Sequence, residues 1–252
     1  MPAKHLTQQN LNINGCDVPL TVRVNPRARR FILRLDATKG GVILVVPSKR
    51  SIKHALNFAQ REKNWIAKQL AGVPQSVPFA PDRLIPLHWV PHMITHRPHA
   101  RRGVWLDEPT LWADEIPNIN VSGRKEHVPR RVRDWLRQSA WRELIVRCRV
   151  HEETLNLKPI KVSVRDTTSR WGSCGASGAL SFSWRLIMAP PFVLDYVAAH
   201  ETTHRIHMSH GSKFWNLLDG LTPRRKEADL WLDQNGHELH RFGSGRSKNP
   251  GL

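Results

Sequence analysis

Cysteine is scarce in this sequence. Its 252 residues hold three, Cys16, Cys148 and Cys174, with no Cys-x-x-Cys pair among them. An odd number at wide spacing excludes a fully paired disulfide framework and offers no cysteine-rich zinc site, so the three read as free thiols in a reducing compartment. Long apolar runs are missing too. None approaches the ~18 residues that a membrane-spanning helix needs, and the opening MPAKHLTQQNLN lacks the apolar core of a secretory signal. A cytoplasmic protein that does not enter membranes is expected. No glycine-rich phosphate loop and no internal repeat stand out. Acidic residues are the last shortage: 21 Asp and Glu face 39 Lys and Arg, for a net charge of +18.

The rest of the composition, 40% hydrophobic with 18 prolines, is that of a globular chain able to build one large core or two small ones. The basic excess is uneven. Residues 1–100 carry 15 Lys/Arg against 4 Asp/Glu, whereas residues 151–252 carry 13 against 10. Such a field attracts polyanions, nucleic acid and nucleotides among them, or is simply a solvated basic surface.

Residues 1–72 read as a β-rich region with one helix. VPLTVRV, FILRLD and GGVILVV, within 18–46, have strand character. Ser51 opens a helix to about Leu70, with Ile52, Ala55, Ala59 and Ile66 near one face. Pro74, Pro78, Pro81, Pro86 and Pro91 mark 73–128 as an irregular and β connection. It holds His88, His92, His96 and His99 at a spacing that would align them on a helix. Pro91 and Pro98 oppose a helix, so a second metal site there rests on spacing alone. Pro129 begins a helix to about Leu155, apolar at Val132, Leu136, Ala140, Leu144 and Cys148 with arginines between. IKVSVR (160–165) and ALSFSWRLI (179–187) read as strands on either side of RWGSCGASG. Pro190 and Pro191 start a helix from Phe192 to about His207, and further helices are expected over 212–218 and 223–234. Residues 237–252 read as a flexible tail.

Residues 200–204 are His-Glu-Thr-Thr-His, an HExxH string. Positions four apart share a helix face, so His200 and His204 can meet one zinc ion, with Glu201 about 100° around the axis. A catalytic zinc takes three protein ligands and keeps one position open. His210, after a Ser209 that marks the end of the helix, supplies the third. At this His and Glu content HExxH would arise by chance roughly 0.03 times in such a chain, so the string is informative. The chain is its own control: His-Glu recurs at 151–152 and 237–238 without continuing into the motif.

The stretch from Arg170 to Trp215 resembles the YgjP-like metallopeptidases, relatives of the SprT-like zinc proteases. The pieces that carry the resemblance are RWGSC (170–174), WRLI (184–187), APP (189–191), DYV (195–197), HExxH (200–204), His210 and FW (214–215), in order and at the family's spacing. Val46-Pro47 and Trp65-Ile66 extend it to the N-terminal part. It implies an α+β fold: a zincin-like catalytic domain over 129–236, a small sheet beside the HExxH helix, preceded by an N-terminal β-rich region. It also implies Zn2+ on His200, His204 and His210 and a protein or peptide substrate. The residues inside the motif, often Leu-Ala-like in the family, are Thr202 and Thr203 here. Their hydroxyls would loosen the helix or bond a carbonyl one turn back. The His- and Pro-rich stretch 84–121 departs from the family's usual strand pair.

Three chemistries are open to such a site. The leading one is peptide hydrolysis, in which zinc acidifies water and polarises the carbonyl while Glu201 shuttles the proton. The same site on phosphorus would make a nucleotide phosphohydrolase, supported only by the charge. A nucleic-acid-associated protein with structural zinc is the third, and would call for a fourth ligand. Around the metal, Tyr196, one turn before His200, is placed to orient a ligand or steady an oxyanion. Arg185 is a candidate for holding a substrate carboxylate or phosphate. Trp171 and Trp184 read as core, and His207 as a surface or supporting residue.

Overall fold

Val18, Leu20 and Val22 alternate along one strand and Val42, Leu44 and Val46 along another, and both sets are buried. They anchor the first of two compact units in the computed structural model, which describes residues 6–13, 15–36, 41–71, 76–107 and 115–243. One unit ends at Val77 and the other runs from Pro78 to Gly243. In the first, β1 (Leu6–Ile13) leads through a turn at Gly15, whose φ of 82° suits glycine, into β2 (Cys16–Val24). β3 (Ile32–Asp36) and β4 (Gly41–Val46) complete a sheet of order β1-β2-β4-β3, with β2 and β4 parallel and the outer pairs antiparallel. Ala55 and Ala59 on α1 (Ile52–Arg61) and Ile66 on α2 (Lys63–Ala71) close its core.

Two features differ from expectation. β1 was not foreseen, because LTQQNLNI is mostly polar; it is an edge strand in which Leu11 and Ile13 are buried. The single helix expected from Ser51 is broken at Glu62, whose ψ of 14° leaves the helical range.

The Pro- and His-rich stretch belongs to the second unit. It forms β5 (Leu84–Leu87), β6 (Val90–Arg97), β7 (Val104–Leu106) and β8 (Asn118–Ser122), in the order β5-β6-β8-β7. β6 is parallel to β8 and the outer pairs are antiparallel. This is the order and sense of the first sheet. Each sheet is followed by a three-residue 3-10 turn, Lys49–Ser51 or Lys125–His127, and then by a helix. The chain therefore does contain a repeat, one of topology. Half-buried strands share alternation whatever their residues, so the repetition left no signature in the sequence.

α3 (Val128–Thr154) buries Val128, Val132, Leu136, Ala140, Leu144 and Cys148, a stripe at every fourth position. β9 (Val162–Arg165), β10 (Gly172–Cys174) and β11 (Leu180–Ser183) form a sheet of order β10-β11-β9. WRLI does not prolong β11. Trp184–Met188 is a fully buried 3-10 helix that ends in Ala189-Pro190, because the ladder stops at Ser183 and the chain tightens before the prolines. α4 (Pro191–Thr203) packs against α3, and α5 (Ser212–Leu221) and α6 (Arg225–Asn235) pack on α4. Residues 237–240, placed at the start of a flexible tail by composition, belong instead to a 3-10 helix, Gly236–His240, with Leu239 buried and Phe242 just beyond it. The remainder of that stretch, 244–252, lies outside the described residues. No helix among the described residues is long and apolar enough to cross a membrane.

Candidate metal centre and active site

α4 is buried almost all round, so its polar side chains need partners. Thr202 Oγ1 and Thr203 Oγ1 each donate to the carbonyl four residues back, Ala198 and Ala199, both at 2.8 Å. The polar pair inside HExxH is thus satisfied within the helix. The helix stops at His204, whose N–H still reaches the His200 carbonyl. The chain then loops through Ser209 to Gly211 and enters α5, which returns His210 to the helix end.

The three imidazoles converge. One nitrogen from each of His200, His204 and His210 lies within 4.8 Å of the others. His200 Nε2 and His210 Nε2 are 3.0 Å apart. Phe214, fully buried, packs its ring 5.0, 4.6 and 4.7 Å from those of His200, His204 and His210. Trp215 stacks on His210 at 5.4 Å. The Phe-Trp pair is thus the apolar wall of the centre. Burial, together with the neighbouring imidazoles, holds His200 down to about pKa 4 and also lowers His204. Neutral rings present lone pairs, the form in which histidine binds a metal. His204 Nδ1 donates to the His207 carbonyl at 3.1 Å, which leaves Nε2 as its free lone pair. His207 therefore serves through its backbone.

Behind His200 stand Tyr196, which helical spacing placed there, and Asp229, which spacing did not reveal. Tyr196 Oη donates to Asp229 Oδ1 at 2.5 Å and lies 3.5 Å from His200 Nδ1, a long contact. Burial and the Asp229 carboxylate raise the phenol pKa, so it stays a neutral hydroxyl. Asp229 is in turn 3.7 Å from Arg225, whose guanidinium lies over the Trp215 ring. The chain of contacts from the imidazole outward runs through α6, 33 residues away from Tyr196 in sequence.

Glu201 is 7% exposed and faces the opposite wall. A Cβ on Gly172 of β10 would lie 2.5 Å from both Glu201 Cγ and Oε1, so only glycine lets the carboxyl occupy this place. The Cys174 backbone N–H donates to it. Burial raises its pKa to about 7, against the opposing pull of Arg170 and that N–H. A group poised there takes and returns a proton near neutrality. Glu201 and His200 share a cavity of about 320 Å3 with Arg170, Trp171 and Tyr196.

Arg185 is drawn elsewhere. With WRLI in a 3-10 helix, its buried guanidinium donates to Asp166 Oδ1 (2.9 Å) and to the Leu239 and Phe242 carbonyls (2.9 and 2.7 Å). It pins the segment after α6 and is spent on those partners. The second histidine cluster is not assembled. His88 pairs with Glu143 (2.7 Å), His92 with the Val90 carbonyl (2.8 Å) and His96 with the Gly123 carbonyl (2.6 Å), while His99 is exposed. The extended rise of β6, about 3.3 Å per residue against about 1.5 Å in a helix, parts His92 from His96, and the hairpin turn at His88-Trp89 parts His88 from both. Trp184 is core, and Trp171 stacks on His240 at 5.1 Å. Cys148 is a buried free thiol, its pKa raised to about 12 by desolvation, and Cys174 is a free thiol as well. The Cys16 side chain lies outside the described residues.

No curated protein matches the chain. Among solved structures, the crystal structure of the metallopeptidase zymogen of Pyrococcus abyssi abylysin aligns with 36% of this chain and 93% of its own. Identity is 19% and the TM-score 0.33, too low to argue from. The decisive match is to a family model, that of the YgjP-like metallopeptidase domain, over residues 29–235. That span takes in the three histidines, Glu201, Gly172 and Asp229, and the chain belongs to the YgjP-like metallopeptidase family.

Proposed function

We propose that this protein is a zinc peptidase, zincin-like in its second unit, with His200, His204 and His210 as the metal ligands and Glu201 as the general base. The observation that carries the reading is the convergence of three imidazole nitrogens within 4.8 Å beside a buried carboxyl, in a chain of a metallopeptidase family. The donor set fits zinc: three imidazole nitrogens with no cysteine among them leave room for a fourth, exchangeable ligand, as catalytic sites do and closed structural sites do not. Bound there, zinc would supply Lewis acidity, acidifying water and polarising a scissile carbonyl.

The chain's own residues do the rest. Glu201, held against Gly172 by the Cys174 N–H, takes a proton at its carboxylate from the attacking water and returns it to the leaving nitrogen. The His207 carbonyl fixes the tautomer of His204, and Tyr196 with Asp229 backs His200. Phe214 and Trp215 keep water from one side of the rings. The family places peptides ahead of nucleotides as the substrate class.

The test is zinc content and hydrolysis of unstructured protein substrates by wild type and Glu201→Gln, with nucleoside triphosphates and a chelator as controls. The proposal expects Glu201→Gln to keep its zinc and lose at least about 100-fold in kcat. Wild-type turnover by a zinc-loaded Glu201→Gln would refute it.

A further inference from the structure

The face of the β10-β11-β9 sheet turned away from Glu201 has its own chemistry. Register places Ser173, Ser181 and Ser163 in one row across the three strands. The adjacent row, Gly172, Phe182 and Val164, points to the other side, where Gly172 meets Glu201. The serine row lines a cavity of about 390 Å3 that also takes in Lys161, Arg165 and Arg170, and among the described residues no Asp or Glu lines it. Arg170 and Gly172 line the cavity of His200 and Glu201 as well, so the two hollows adjoin around strand β10.

The three cations are exposed, and among the described residues none of them forms an ion pair. Every other arginine between 151 and 243 has a carboxylate partner: Arg185 has Asp166, Arg205 has Glu152, Arg224 has Glu227, Arg225 has Asp219 and Arg241 has Glu238. The cluster is also not an overflow of the basic N-terminal half, since residues 151–252 are nearly balanced at 13 Lys/Arg to 10 Asp/Glu. Ser163 Oγ donates to the Leu180 carbonyl at 3.3 Å, which leaves the Ser173 and Ser181 hydroxyls as donors beside the guanidiniums.

We infer that this face is an anion subsite that receives the carboxylates of acidic substrate side chains, so that the enzyme selects peptides carrying Asp or Glu on one side of the scissile bond. The choice of ligand rests on the peptidase reading. Hydroxyl and guanidinium donors together with fixed positive charge suit carboxylate oxygens, which only accept. A peptide leaving the centre past Arg170 reaches this face directly.

Zinc-loaded full-length protein is given paired fluorogenic peptides that differ only in Glu-Glu or Gln-Gln placed three to five residues from the cleaved bond, on either side. The acidic peptide of one pair is expected to be favoured about tenfold in kcat/KM at low salt, through KM, with the ratio falling toward one near ~0.5 M salt. Lys161→Glu with Arg165→Glu should reduce that ratio about tenfold, and Lys161→Gln with Arg165→Gln by less. Equal kcat/KM for both members of every pair overturns the inference and leaves the peptidase reading standing. A single-stranded oligonucleotide that displaces the acidic peptide at lower concentration than a Glu-rich competitor also overturns it, assigning the face to nucleic acid. Should neither peptide be cleaved, fluorescence anisotropy with Glu201→Gln decides. Tighter binding of the acidic peptide, lost in the charge-reversed variant, upholds the subsite while the peptidase reading falls. Equal binding overturns the subsite.

Discussion

Gly172→Ala adds one methyl group at the point where the proposed base meets β10. Built on the backbone, that Cβ lies 2.5 Å from Glu201 Cγ, 2.5 Å from Oε1 and 2.8 Å from Cδ. Carbon atoms rest at about 3.5–4.0 Å, so the carboxyl must retreat by about 1 Å or the strand must bend. A displacement of that size costs on the order of 100-fold in rate, about 2.7 kcal/mol of barrier. The three histidines stand apart from this contact, so zinc content should not change. The assay pairs kcat on a fluorogenic peptide with metal analysis of the same sample. Gly172→Ala in a Glu201→Gln background gives the sharper result, because a base that is already gone cannot be misplaced. The methyl should then cost almost no further activity. A Gly172→Ala enzyme with full zinc and more than half the wild-type kcat would show that the close approach does not position the base.

Further outcomes are expected. His204→Ala and His210→Ala should each lose stoichiometric zinc in a chelator titration, and wild-type affinity in either would remove that residue from the ligand set. Glu201, with its folded-state pKa raised from 4.5 to about 7, stabilises the metal-free protein fully below pH 4.5 and loses that contribution as pH rises through 7, up to about 3 kcal/mol. The melting temperature of metal-free Glu201→Gln should therefore climb relative to wild type between pH 4.5 and 7.5, and a difference that stays flat contradicts the burial of that carboxyl. Arg185→Met leaves Asp166 and the Leu239 and Phe242 carbonyls without their donor, and should cost about 2–4 kcal/mol in urea unfolding. An unchanged midpoint would place Arg185 outside the framework. Asp229→Asn should weaken zinc binding about tenfold or more while preserving the fold, readable by competition with a colorimetric chelator.

What the sequence disclosed followed from local spacing. The histidines at 200 and 204 share a helix face, His210 needs only a loop to return, and the four-residue stripe of α3 is visible as letters. What stayed hidden depends on partners distant along the chain. Asp229 meets Tyr196 across 33 residues, and nothing in ADLWLD announces it. Gly172 was visible only as one letter of RWGSC, because its purpose lies in an atom it lacks. Arg185 was misplaced because alternation was extended past the end of the strand: the ladder ends at Ser183 and the chain tightens into a 3-10 turn. The histidines at 88, 92, 96 and 99 carry a helical spacing that Pro91 and Pro98 discount, and 90–97 is a strand.

The repeated sheet has a consequence for how the centre is built. Each copy ends in a helix, but α1 has 10 residues and α3 has 27, about 15 Å against about 40 Å of rod. The first turns of α3, from Val128 to Leu136, follow their sheet and 3-10 turn as α1 follows its own. Everything beyond is overhang, and the overhang touches the motif: the Cys148 thiol shares a hydrogen bond with Thr202, and Glu152 takes Arg205, the residue after His204. The chemistry is thus cantilevered from a generic module by lengthening one helix. A shortened α3 would leave the sheet intact and take from α4 the element it packs against most extensively.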